Sequence, residues 1–374
     1  MEYKPFKDIK LSRLGLGNMR LPQLTPGFGG AIDRPAAREM IEYAYNHGIN
    51  YFDTAYVYHN GESEVVLGEV LSQYPRDSYY LATKFYVHAG VDVETMFAEQ
   101  LKRLQTDHID FYLVHGVDDS CYDAYEKSGC MDFLKRMKAE GKITYLGFSS
   151  HSSPPVLEKT LAWYDGWDFV QIQCNYFDWK YGTTAEEYRI LKERNLPIVV
   201  MEPIRGGKLA TLSEDALKVL ADKNPHRSAA AWALSWVRHL PQVQVILSGM
   251  STLPQMQENV ALFDRENVFT EEDAETCEKA AEAFRKEVSV PCTACRYCCA
   301  TCPAKIEIPE YMNLYNQFRL DGPMAVVGAK IDSEGTPADC VGCGQCKERC
   351  PQGIDVPAVM KELAEVIEQM KDIT

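Results

Sequence analysis

The sequence predicts a (β/α)8 barrel followed by a small cysteine-rich domain. Three observations carry this. Short β-rich apolar runs alternate with amphipathic helical stretches eight times between about residues 12 and 250. Composition changes sharply at Val290-Pro291-Cys292, and nine of the 13 cysteines lie from there on, eight of them regularly spaced in two tight runs. At 374 residues the chain is long for one core and suits a large domain plus a small one.

Taken in order, candidate strands end near Leu16, Phe52, Thr83, Val114, Phe148, Gln173, Met201 and Leu247. The helical windows between them are 37–47, 63–73, 95–104, 133–140, 155–163, 186–193 and 228–239. The first strand runs into Leu14-Gly15-Leu16-Gly17-Asn18-Met19-Arg20, which lacks the third glycine of a dinucleotide fingerprint and so argues against a doubly wound sheet. Two further helices are expected over 252–262 and 271–286, with Thr270 as N-cap of the second, and a closing amphipathic helix over 356–370. The boundary falls at residue 287, giving a barrel over 1–286 and a second domain over 287–374.

Composition bounds the function. Apolar residues make up 46% and charged residues 25%, as in ordinary globular proteins. A net charge of −15 argues against nucleic acid or an anionic membrane surface as partner. No apolar run approaches the roughly 18 residues a membrane helix needs, and the first residues show no secretory h-region. A cytoplasmic location is expected, and there cysteines cluster for metal rather than for disulfides.

The two runs are Cys292-Thr-Ala-Cys295-Arg-Tyr-Cys298-Cys299-Ala-Thr-Cys302-Pro303 and Cys340-Val-Gly-Cys343-Gly-Gln-Cys346-Lys-Glu-Arg-Cys350-Pro351. Both are complete C-x2-C-x2-C-x3-C-P runs, the spacing of bacterial two-cluster ferredoxins. In that arrangement three near cysteines wrap one [4Fe–4S] cluster and the fourth serves its neighbour. One ligand set is then Cys292, Cys295, Cys298 and Cys350, and the other Cys340, Cys343, Cys346 and Cys302. A pair of zinc sites is the alternative, although zinc needs neither the third step nor the trailing proline. Cys299 lies off the ligand register and reads as a bystander. By this resemblance the second domain is a small α+β ferredoxin-like unit.

In barrels of this kind the chemistry sits at the C-terminal ends of the strands. Asp53 follows Tyr51-Phe52, Tyr58 lies five residues on, Lys84 follows Leu81-Ala82-Thr83, and His115 follows Leu113-Val114. Singly, each has a structural explanation: a cap, an interfacial aromatic, a surface charge, a satisfied buried histidine. Lys84 is the oddest, because an ammonium after an apolar strand needs a partner, which Asp53 supplies.

Together the four resemble the Asp, Tyr, Lys and His tetrad of the aldo-keto reductases. The resemblance covers about residues 3 to 285 and includes Phe52-Asp53-Thr54-Ala55, Leu113-Val114-His115, Gly147-Phe148-Ser149, Gln173-Cys174-Asn175 and Glu258-Asn259. It implies that Tyr58 is the general acid–base, that Lys84, held charged by Asp53, stabilises its phenolate, and that His115 orients a carbonyl. It further implies a nicotinamide cofactor, with Gln173 and Asn175 on the carboxamide. Ser149, Arg205, Gly206, Gly249, Ser251, Glu258 and Asn259 complete the cofactor contacts. Lys208 adds a second cation beside the Gly206-Gly207 turn. Residues 247–259 contain no Lys or Arg to meet a 2′-phosphate, so NADPH and NADH both remain open. Tyr56, Tyr86, Phe177 and Trp179 line the pocket or simply pack.

A nicotinamide delivers two electrons as hydride and a cluster exchanges one, which usually calls for a converter such as FMN. Late βα loops of such barrels also hold FMN phosphates. Three readings follow: a reductase of small carbonyls (or, in reverse, an alcohol oxidase) exchanging electrons with a ferredoxin or flavoprotein partner; an electron-transfer module docking with a flavoprotein; and an ordinary reductase with structural or regulatory clusters.

Overall fold

A computed structural model describes residues 1–24, 31–119, 121–266, 268–287, 290, 292, 296, 298–321, 323–327, 329–350 and 353–371. Cys295, of the first ligand set, lies outside these residues. Internal contacts divide the chain into two units, Met1–Thr211 with Leu220–Glu278, and Leu212–Val219 with Lys279–Thr374.

The first unit opens with a hairpin the sequence reading missed, β1 (Tyr3–Phe6) paired antiparallel to β2 (Ile9–Ser12). Eight parallel strands follow and close into a barrel. They are β3 (Leu14–Gly17), β4 (Tyr51–Asp53), β5 (Tyr80–Phe85), β6 (Ile109–Val117), β7 (Ile143–Ser150), β8 (Phe169–Gln173), β9 (Ile198–Met201) and β10 (Val243–Ser248). β10 pairs with β3 to complete the ring. All eight expected strands are present.

One buried cluster fills the barrel interior: Tyr51, Ala82, Phe111, Leu113, Tyr145, Phe169, Val199, Val245 and Leu247, joined by Phe6 and Leu11 of the hairpin. Phe6 meets Phe111 and Tyr145 with ring centroids 5.3 and 5.0 Å apart, so the hairpin plugs one end. Side chains along a strand alternate faces. Two residues beyond each interior position the chain again points inward, and those positions are Asp53, Lys84, His115, Gly147 and Gln171.

Helices on the outside start where short polar residues cap them. Asp33, Asp92 and Ser228 accept from Ala36, Thr95 and Ala231 backbone N–H groups at 3.2, 3.0 and 3.0 Å. Helix Glu271–Glu287 begins with the expected cap and a reciprocal bond: Thr270 Oγ1 accepts from Asp273 N at 3.2 Å while Asp273 accepts from Thr270 N at 3.0 Å. Helices Tyr122–Ser128, Tyr176–Tyr181 and Glu214–Lys223 were not expected.

In the second unit, helices Ile308–Asp321 and Val356–Lys371 pack around Ile306, Met312, Tyr315, Ile354, Met360 and Leu363. Cys346 belongs to this core, and Cys292, Cys298, Cys299, Cys302, Cys340 and Cys350 border it. Its only β feature among the described residues is a parallel bridge between Ile306 and Gly335. No helix among the described residues is long and apolar enough to cross a membrane.

Gly147 is held close to β8: a Cβ there would meet the Phe169 carbonyl oxygen at 2.6 Å and its ring at 2.7 Å. Backbone cannot yield as a flexible side chain can. Gly147→Ala is expected to destabilise the barrel by about 1–3 kcal/mol, read as a lower urea midpoint for the barrel transition; an unchanged midpoint would show that β7 and β8 can separate freely.

Candidate active site and cluster-binding residues

The end of β4 and the middle of β5 bring Asp53 and Lys84 together inside the barrel. Lys84 is fully buried and Asp53 3% exposed. Lys84 Nζ donates to Asp53 Oδ1 at 2.7 Å and to the Thr54 carbonyl at 2.6 Å. Burial pushes the carboxyl up and the ammonium down, and their attraction opposes both shifts. Asp53 Oδ2 is buried without a partner among the described residues.

Behind this pair, outward-facing residues of β5 and β6 build a polar shelf. Glu64, itself fully buried, accepts from Thr83 Oγ1 at 2.6 Å and Gln100 Nε2 at 3.0 Å, and pairs with Arg103 at 3.1 Å. Gln100 also donates to the Lys84 carbonyl at 3.0 Å and accepts from the Tyr112 hydroxyl at 2.7 Å. The shelf fixes the β5 backbone from which Lys84 projects.

Tyr58 opens a strained turn. His59, Asn60 and Gly61 have φ of 50°, 56° and 91°, and left-handed geometry costs a non-glycine residue roughly 1–2 kcal/mol. Lys84 Nζ lies 5.1 Å from the centre of the Tyr58 ring, and the His115 ring meets it edge-on at 5.7 Å. The tetrad is therefore assembled. The expectation that the ammonium acidifies the phenol is not met: burial raises the Tyr58 phenol above its ordinary value, and Asp53 and Glu202 add to the rise. The reason is enclosure: removing water from around the phenol penalises its charged form most. Burial, with Lys84 and His151 nearby, holds His115 well below its ordinary value and hence neutral; its Nδ1 is buried without a partner among the described residues.

Among the expected cofactor contacts, Ser149 is buried and its Oγ accepts from Gly116 N at 2.7 Å, leaving its O–H to donate. Gln173 bonds His151. Asn175 requires a correction. Its Oδ1 accepts from Phe177 and Asp178 N–H groups at 3.1 and 2.9 Å, and its Nδ2 donates to Asp178 Oδ2 at 2.8 Å and the Glu202 carbonyl at 3.1 Å. It caps helix Tyr176–Tyr181 with its whole amide engaged, so nothing is left for a carboxamide. The sequence reading missed Gln171, directly beside Ser149 across the β7–β8 pair. Gln171 is buried, and its Oε1 has no partner among the described residues. Its alternation with Gln173 along β8 was the available signal.

Two loops carry the residues expected to meet the cofactor's phosphates. Arg205 Nε pairs with Asp178 at 3.0 Å, and Gly206 and Gly207 follow at φ of 65° and 101°. Arg20, not singled out beforehand, joins both loops: a Cβ at Gly206 would come within 3.3 Å of its Nη2, and one at Gly249 within 3.3 Å of its Cδ. Ser251 Oγ donates to the Arg20 carbonyl at 2.8 Å. Glu258 is exposed and accepts from Ser228 Oγ at 2.5 Å, while buried Asn259 donates to Ser248 Oγ at 3.2 Å. Of the aromatic residues, Tyr86 stands against His115 at 5.4 Å, Tyr56 bonds Glu99 and stacks on Arg103, Phe177 is buried beneath Arg205, and Trp179 packs on Tyr188 and Trp236.

In the second unit the runs exchange their fourth cysteines. Cys302 lines one hollow with Cys340, Cys343 and Cys346, and Cys350 lines the other with Cys292 and Cys298. Cys299 lines neither and turns toward Glu307 at 4.0 Å. Four thiols around a hollow suit a multi-atom cluster. A single zinc would draw them to one point, and among the described residues no three potential ligands converge in that way.

A barrel with this tetrad at its mouth, joined to a crossed pair of cysteine quartets, defines an oxidoreductase with an iron–sulfur domain. Residues 13–282 match the aldo/keto reductase family, and the chain belongs to it. Residues 291–354 match the 4Fe-4S dicluster domain. The probable aldo-keto reductase 1 of Glycine max is 29% identical over 212 residues, 54% of this chain and 58% of that protein, so the match spans little more than half of that relative. The NADH-specific methylglyoxal reductase of Escherichia coli is 25% identical over 75% of this chain and 97% of that one. Among solved structures, the holo form of aldo-keto reductase AKR11C1 from Bacillus halodurans superposes with a TM-score of 0.63 at 26% identity, covering 76% of this chain and 97% of that one.

Lys84→Met is expected to lower barrel stability by about 3–5 kcal/mol, because it leaves the Asp53 carboxylate buried without its cation. The double variant with Asp53→Asn should recover a measurable part in the same denaturation experiment. Equal loss in both would mean that the ion pair is not what holds this end of the barrel.

Proposed function

We propose that the barrel reduces a small carbonyl compound with a nicotinamide cofactor, and that the dicluster domain exchanges single electrons with a redox partner. The observation that carries the first part is the buried Lys84–Asp53 pair beneath Tyr58 and a neutral His115. When bound, the nicotinamide supplies hydride to the carbonyl carbon, and the clusters supply one-electron exchange. Tyr58 donates its proton to the carbonyl oxygen as negative charge grows there, giving the alcohol. A phenol kept protonated by burial is still more acidic than the alcohol it forms, so the transfer to the nascent alkoxide runs downhill. Lys84 then steadies the phenolate left behind, with Asp53 holding the lysine in place. His115, being neutral, has one N–H to offer the same oxygen and orients the substrate.

For the cofactor, the unpartnered Gln171 Oε1 and the Ser149 hydroxyl fit a carboxamide, which both donates and accepts. Arg20, Arg205 and the Gly206-Gly207 turn fit a pyrophosphate. Ser251, Glu258 and Asn259 fit the adenosine end. The absence of Lys and Arg in 247–259, together with the exposed Glu258 carboxylate, favours NADH over NADPH, as does the name of the Escherichia coli relative. FMN has no support beyond the loops it would share. Cys292, Cys298 and Cys350, with Cys295, serve one cluster, and Cys302, Cys340, Cys343 and Cys346 the other. A ferredoxin or flavoprotein would be the partner.

Tyr58→Phe should lower the rate of carbonyl reduction by at least about 10²-fold while NADH binding, followed by fluorescence, stays unchanged; turnover near that of the parent would remove Tyr58 from the mechanism. Because the Tyr58 phenol is raised, it stays protonated through neutral and mildly alkaline pH. Reduction should therefore be flat from about pH 6 to 9, whereas alcohol oxidation, which needs the phenolate, should climb throughout that range. Because His115 is lowered below its ordinary value near 6.5, no inflection from it should appear there.

Cys346→Ala in anaerobically reconstituted chain should reduce iron from about eight to about four per chain. If carbonyl reduction coupled to a one-electron acceptor survives that loss intact, the clusters are structural and the coupling is wrong.

A further inference from the structure

The two cysteine runs share the spacing C-x2-C-x2-C-x3-C-P and differ in the residue that follows the second cysteine. After the second cysteine of the second run stands Gly344, whose φ of 77° is open to glycine without steric penalty. At the corresponding place in the first run stands Arg296, with φ of 62°. A side chain is strained in that conformation, and strain persists where the residue's chemistry is needed.

Arg296 lines the hollow formed by Cys292, Cys298 and Cys350, and Arg349 lines it too. The hollow of Cys302, Cys340, Cys343 and Cys346 has no cationic or acidic side chain among its described lining residues. Arg296 also pairs with Glu307, which does not line the hollow. Arg349 forms no ion pair among the described residues. Ile308 and Val356 line both hollows, so the two sites share an apolar wall.

We propose that Arg296 and Arg349 make the two cluster sites electrostatically unequal, so that an electron entering the domain settles at the site of Cys292, Cys298 and Cys350. The inference rests on the ligand assignment above. Reduction adds one electron to a group already made anionic by four thiolates, with no bond formed or broken. A guanidinium at the wall stabilises that added charge, and an apolar wall does not. The second site then passes its electron on to the first across the shared wall.

The test is a potentiometric titration of the reconstituted full chain with dithionite, followed by electron paramagnetic resonance, after iron and sulfide analysis. Two resolved one-electron steps are expected. Arg349→Gln should move the higher step down, by up to a tenfold change in reduced-to-oxidised ratio at fixed potential, ~59 mV for one electron. Arg296→Gly, which relieves the strained backbone and removes the charge, should move the same step in the same direction without loss of iron. Arg349→Lys should leave it nearly in place. Coincident steps in the parent, or variants that shift both steps equally or only the lower one, would overturn the proposal. Fewer than about eight irons per parent chain would instead overturn the ligand assignment beneath it.

Discussion

A strand closed into a barrel has one face inside and one outside, and successive side chains must alternate between them. This constraint ties the core of the first unit to its mouth. Tyr51, Ala82, Phe111, Leu113, Tyr145 and Phe169 fill the interior, and the same parity carries the chain to Asp53, Lys84, His115, Ser149 and Gln171 one or two steps later. A slip of one residue in any of these strands would turn one of these polar side chains outward and bury a helix-facing one. The hairpin that seals the opposite end with Phe6 and Leu11 leaves the mouth as the end where polar groups gather.

At that mouth the charges are arranged by burial as much as by contact. Lys84 and Asp53 sit where neither could remain ionised alone, and the Glu64 shelf behind them keeps the β5 backbone in place. The same burial keeps the Tyr58 phenol protonated and the His115 imidazole neutral. A protonated donor beside a neutral orienting group suits the delivery of a proton to a carbonyl oxygen. The strained turn from His59 to Gly61 is the local cost of swinging Tyr58 over the lysine.

The second unit solves a different problem with little regular structure. Its helices supply an apolar wall, and left-handed residues, Arg296 and Gly344, follow the second cysteine of each run. The exchange of Cys302 and Cys350 between runs ties the two loops together, so the hollows form as a pair.

Local signals sufficed for much of this. The eight barrel strands, the placing of the four tetrad residues, the cap at Thr270 and the grouping of Cys302 with Cys340, Cys343 and Cys346 were legible because each rests on short-range pattern: alternation, strand ends, N-cap chemistry, fixed spacing. What tertiary structure alone decided depends on partners distant in sequence. The hairpin was too short to announce itself, and its purpose exists only against Phe111 and Tyr145. Asn175 looked free to bind a cofactor until Asp178 and the Glu202 carbonyl were seen to engage its amide, and Gln171 emerged because its oxygen was left without a partner. Arg20 reaches Gly206 and Gly249 only because β3 closes the barrel beside β10. The direction of the Tyr58 shift was likewise set by enclosure, since spacing along a chain reveals which charges are near but not how much water has been removed from between them.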